Sequence, residues 1–120
     1  MYRVFDFANP DVLGSGIGLL PYVDLPFVSS DNFLFSLRLA EGVGYMTKKF
    51  DVLENHKNTA IGSSLNACIQ IFFQTSYRIS PRTDFKFSVG LTHFSNGSYA
   101  TPNIGLNNAS ASSGFIFYFD

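Results

Sequence analysis

The feature that most constrains this chain is alternation of apolar and polar side chains over two long runs. In residues 64–79, Leu65, Ala67, Ile69, Ile71, Phe73, Tyr77 and Ile79 oppose Asn66, Cys68, Gln70, Gln74, Ser76 and Arg78. In residues 83–95, Phe85, Phe87, Val89, Leu91, His93 and Ser95 oppose Lys86, Ser88, Gly90 and Thr92. Successive strand side chains point to opposite faces, so each run reads as a strand with one apolar face. Shorter or less regular alternation predicts four more strands, at 2–7, 16–27, 33–47 and 113–119. In 33–47 the odd positions Phe33, Phe35, Leu37, Leu39, Val43 and Tyr45 are apolar, and Glu41 is the exception. Pro21 and Pro26 interrupt 16–27. In 113–119, Phe115, Phe117 and Phe119 oppose Ile116 and Tyr118. Helical periodicity is weak throughout.

Composition says what those faces meet. At 120 residues the chain is a single β-domain over 1–120. Its 14 Phe are more than so short a chain can bury easily. Charged residues are 14%, against about a quarter in soluble domains. The net charge of -1 leaves no basic field for nucleic acid. No run approaches the ~20 apolar residues of a membrane helix. The polar faces carry Arg, Gln and Asn rather than a solvent-typical mix of Lys and Glu. Connections 28–32 and 80–82 are short, whereas 8–15, 48–63 and 96–112 are long. These features predict an all-β fold, an antiparallel up-and-down β-barrel of outer-membrane type. Its lipid face is apolar, its interior polar, and its long loops lie outside the cell, with both chain ends on the other side. A soluble barrel or sandwich also alternates. It would turn the Phe stripe inward and make His93 and Ser95 line an interior small-ligand site.

Several residues read as structural. Cys68 is a small buried residue with no partner cysteine. Arg38 and Arg78 belong in the interior, paired with Asp24 or with amides. His56 sits in a solvated loop, and Gly14–Gly18 supplies small interior residues entering a strand rather than a phosphate loop.

The chemistry gathers at 93–107. His93 and Ser95 are two residues apart on one face, within ~7 Å of each other. A Ser hydroxyl is a poor nucleophile until a base takes its proton, and His is the usual base. Asn96 follows directly, and Gly97-Ser98 can turn the backbone so that an N–H faces the same point. The pair alone is a weak signal, because a polar strand end running into a turn looks the same.

The longer string His93-Phe94-Ser95-Asn96-Gly97, then Pro102-Asn103-Ile104-Gly105-Leu106-Asn107, resembles the lipid A 3-O-deacylase (PagL-type) family. The resemblance implies an eight-stranded outer-membrane barrel of a Gram-negative bacterium. It implies a serine esterase that removes an ester-linked acyl chain from the lipid A part of lipopolysaccharide. In that reading His93 is the general base, Ser95 the nucleophile, and Asn96 with the Ser98 backbone the oxyanion donors. The position of the triad acid is Asn107, an amide, which implies weakened activity; the nearest acids in sequence, Asp84 and Asp120, are not well placed. No metal or cofactor is implied. The expected partners are lipopolysaccharide and membrane lipid, with association into a homodimer and none with nucleic acid. Against eight implied strands only six are legible. Either N-terminal strands are missing from this piece or residues 1–30 hold a merged strand. A non-catalytic lipid-binding or structural barrel is the alternative if loss of the acid has ended catalysis.

Overall fold

The computed structural model describes residues 1–119; Asp120 lies outside them. The fold is a single antiparallel sheet that curls into a half-barrel. Its strands are β1 (Tyr2–Asp6), β2 (Ser15–Leu19), β3 (Tyr22–Ser29), β4 (Phe33–Met46), β5 (Leu65–Ser80), β6 (Thr83–Ser95) and β7 (Leu106–Phe117). A single helical turn, α1 (Pro10–Leu13), lies between β1 and β2. The strand order is β1-β2-β4-β5-β6-β7, with β3 also paired to β4. At 12 to 16 residues, β4 to β7 exceed the 9–11 residues that a tilted strand needs to cross a bilayer.

Two strand boundaries differ from the expectation. The strand expected at 16–27 is divided at Leu20-Pro21 into β2 and β3. Both halves keep one register against β4, with Leu19 opposite Val43 and Tyr22 opposite Ala40. Pro21 has no N–H to give the ladder, so pairing lapses there while the direction continues. The Glu41 N–H still donates to the Pro21 carbonyl, and the Leu20 N–H donates to Met1. Met1 therefore lies level with Leu20, at mid-height in the sheet and not at its short-turn end.

The strand expected at 113–119 instead begins at Leu106 and ends at Phe117. Residues 107–113, Asn-Asn-Ala-Ser-Ala-Ser-Ser, carry no apolar alternation that marks a strand. The edge of β6 recruits them through a continuous ladder from Phe94–Leu106 to Thr83–Phe117. Cross-strand pairing overrides low intrinsic propensity here. The expected loop 96–112 shortens to 96–105, which moves Asn107 from a loop onto a strand.

The faces are arranged as in a membrane barrel and not as in a soluble one. Ile69, Ile71 and Phe73 on β5, and Phe87, Val89 and Leu91 on β6, are exposed on the convex face. Gln70, Gln74 and Thr92 are buried on the concave face. The inside-out assignment rules against the soluble alternative, whose Phe stripe would be inside. The concave face has two halves. Toward the short turns it is polar: the Arg38 guanidinium donates to both carboxylate oxygens of Asp24, at 2.7 and 2.6 Å, and Gln74 donates to Asp24 at 3.1 Å. Arg78 donates to Asp84 at 2.8 Å. Toward the long loops it is apolar, where Phe5, Phe7, Leu20, Met46, Ile61, Cys68 and Phe94 pack as one cluster. The Phe94 ring meets Phe5 edge-on at 5.0 Å and Phe7 at 6.0 Å.

Turn chemistry closes the short ends. Ser30, Asp31 and Asn32 link β3 to β4, and Pro81-Arg82 links β5 to β6. Short and long connections alternate along the chain, so all long loops gather at one end, above the apolar cluster.

Burial of Phe94 predicts a contrast between faces. Phe94→Ala should lower the unfolding free energy of the refolded protein by about 3 kcal/mol in urea titration, through lost transfer and the cavity left behind. Leu91→Ala, on the exposed face, should cost clearly less in detergent.

Candidate active site

The last turn of β6 fixes the site. Phe94 points inward and is fully buried, so its neighbours His93 and Ser95 must point outward. Both are half-buried at the loop end of the convex face. His93 pairs with Asn107 in the β6–β7 register. The His93 Nδ1–H donates to Asn107 Oδ1 at 2.8 Å. An acceptor at Nδ1 keeps the proton there and leaves a lone pair on Nε2, the tautomer a general base needs.

Gly105 closes over the imidazole. Its φ is +83°, and an added Cβ would come within 2.8 Å of His93 Cε1 and 3.2 Å of the Phe94 carbonyl oxygen. Only glycine lets the backbone pass so near the ring in this conformation. The Gly105 N–H donates to Ala60 at 3.1 Å, which ties the loop before β7 to the loop before β5.

Ser95 is held by groups other than His93. Asn103 Nδ2 donates to Ser95 Oγ at 3.1 Å, and the Gly97 N–H donates to it at 3.3 Å. Asn103 Oδ1 accepts from the Asn96 backbone N–H at 3.1 Å. Among the described residues no hydrogen bond joins His93 to Ser95. Asn103 is the residue that sequence reasoning passed over, although it lies inside the Pro102-Asn103-Ile104-Gly105 string. Nothing in its spacing says that its amide reaches Ser95; that depends on how loop 96–105 folds back, through a cis Thr101–Pro102 peptide.

Asn96 and Ser98 are bonded to each other. The Ser98 N–H donates to Asn96 Oδ1 at 2.9 Å, with Ser98 at φ +66°. Asn96 Nδ2 donates to Ser63 Oγ at 3.0 Å and to the Ala100 carbonyl at 2.9 Å. Ser63 in turn bonds Asn66. The Asn96 side chain is buried and clamps the 96–105 loop to the start of β5. The two expected oxyanion donors are therefore engaged in this state. Cys68 is buried, Arg38 meets Asp24, and His56 is exposed in its loop, as expected. Arg78, expected in the interior with Asp24 or amides, is instead exposed and paired with Asp84, its neighbour across the β5–β6 turn. Asp84 lies at the far end of β6, bonded to Arg78 and Tyr118.

The His93–Asn107 bond has a direct spectroscopic reading. In wild-type protein the His93 ring 15N shifts should be those of an Nδ1-protonated imidazole. In Asn107→Leu they should move to a mixture of tautomers with the strands intact.

No curated protein and no solved structure matches the chain. The family model described as lipid A 3-O-deacylase (PagL) matches residues 3–115, which reaches into every strand of the sheet. The chain belongs to the lipid A 3-O-deacylase (PagL) family.

Proposed function

We propose that this chain is a serine ester hydrolase of the Gram-negative outer membrane that cleaves an ester-linked acyl chain from lipid A. The observation that carries the reading is the His93 Nδ1–H to Asn107 Oδ1 bond at 2.8 Å. It leaves a basic nitrogen on the same lipid-facing surface as Ser95. In the reaction, Ser95 Oγ attacks the ester carbonyl carbon while His93 Nε2 takes its proton. The tetrahedral intermediate collapses, the C–O bond to the sugar breaks, and His93 returns the proton to the sugar oxygen. Water, deprotonated by His93, then attacks the acyl carbon, the bond to Ser95 Oγ breaks, and His93 returns the proton to Oγ as the fatty acid leaves.

The donors for the oxyanion come from the loop. Asn96 and the Ser98 N–H are the pair that the family resemblance proposes, and to serve they must exchange their present bonds. Asn103 Nδ2 and the Gly97 N–H already converge on Ser95 Oγ. A substrate carbonyl that draws Asn103 onto its oxygen would release Oγ to His93. Catalytic hydrogen bonds are often made only once substrate is bound. The acyl chains run down the Phe85, Phe87, Val89 and Leu91 stripe, beside a shallow apolar groove of about 590 Å³ lined by Ile71, Phe73, Val89, Leu91, Ala109 and Ala111.

Mass spectrometry of lipid A after incubation with the refolded natural protein tests this. Wild type should remove one hydroxyacyl mass and Ser95→Ala none, with the sheet intact by circular dichroism. Equal turnover by both would sink the assignment of Ser95.

A second reading, a non-catalytic lipid-binding barrel, is favoured by one residue, the amide Asn107 where the family's acid would stand. Asn107→Glu separates the two. A weakened esterase should gain about tenfold, since a carboxylate stabilises the imidazolium where an amide does not. A binder should stay inactive in both forms.

A further inference from the structure

The convex face carries one charge among its apolar side chains on β2 to β7, and it stands in line with His93. Glu41 on β4 pairs with Ile69 on β5, Ile69 pairs with His93 on β6, and His93 pairs with Asn107 on β7. The four residues form one row across the outer face. Two interstrand spacings separate the Glu41 and His93 backbones, about 10 Å. Glu41 is exposed on that face. Its carboxylate has no hydrogen bond or ion pair among the described residues. A charge on a lipid-facing surface is destabilising, so it stays where it has a task.

We propose that Glu41 is an electrostatic positioning residue for His93, supplying from across β5 the negative charge that Asn107 lacks. This rests on the esterase reading above. Asn107 orients the ring but is neutral. The imidazolium formed when His93 accepts the Ser95 proton therefore has no adjacent anion. Glu41 faces it over Ile69, an apolar side chain that cannot screen the field. At about 10 Å a unit charge stabilises a developing positive charge about twofold in water-like surroundings and about seventeenfold at an effective dielectric constant of 20. The site sits between water and lipid, inside that range.

The other groups facing His93 do not compete. Among the described residues, β7 carries no titratable side chain, and the outer face of β5 carries none before Tyr77 near the far turn. Ser95 and Leu91 flank His93 on β6, and Gly105 and Asn107 cover it from the other side. The phenols at this end are Tyr45, on the outer face of β4, and Tyr99, whose hydroxyl donates to the Leu65 carbonyl.

The test is kcat and KM for lipid A deacylation by wild type, Glu41→Gln and Glu41→Asp. Glu41→Gln should lower kcat twofold to tenfold with KM unchanged, because the developing imidazolium loses its distant anion. Glu41→Asp should keep most of the rate. An unchanged kcat in Glu41→Gln, an effect confined to KM, or no rescue by Glu41→Asp would each overturn the proposal. Ser95→Ala, run alongside, separates this failure from failure of the esterase reading: if that variant turns over normally, it is the nucleophile assignment that is lost.

Discussion

The site depends on the inward burial of one ring. Phe94 is locked edge-on against Phe5 and Phe7 inside the half-barrel. A strand has a single phase, so that one contact sends His93 and Ser95 to the lipid side. A slip of one residue would bury both and expose the ring. The same phase is set again two and four residues away, where Gln70 Nε2 donates to Thr92 Oγ1 at 3.0 Å and Gly90 lies against Phe72. His93 and Ser95 are thus placed by the packing of their inward-facing neighbours.

The interior divides its labour along the strands. Near the short turns it is tied by Arg38 with Asp24 and Arg78 with Asp84, pairs that hold neighbouring strands in register. Under the long loops it is an apolar plug from β1, β4, β5 and β6, with Leu20 from the break between β2 and β3 and Ile61 from the loop before β5. The plug supports a loop layer that is polar and almost fully bonded. Asn96 joins Ser63 to Ala100, and Gly105 joins Ala60, so the segments before β5 and β7 behave as one lid over the end of β6. A rigid support of this kind is what the proposed role of Ser95 would require, because small displacements of reacting groups are costly in rate.

Charge at the site is arranged sparingly. The imidazole is oriented by an amide, a neutral partner that fixes the tautomer without adding a field. The outer carboxylate in line with it, Glu41, is kept at a distance, with an isoleucine between. In the proposed reaction such an arrangement would separate two jobs that a single triad acid combines, orientation and electrostatic stabilisation.

The sequence alone determined the sidedness of the strands, because period-two alternation needs only local geometry. It also carried the family likeness, since the two strings His93–Gly97 and Pro102–Asn107 lie close together in the chain. Alternation failed at residues 107–113, where small side chains show no pattern and only the open edge of β6 makes them a strand. It failed also at Leu20-Pro21, where a continuous pattern hides a break in pairing. The tertiary structure alone decided that Asn107 reaches His93 through register, that Asn103 and not His93 holds the resting serine, and that Asn96 is turned to scaffolding. It alone put Glu41 in line with His93, although the two lie 52 positions apart in the chain. Those relations are distances between segments remote in sequence, and they exist only once the ladder from β4 to β7 has set its register.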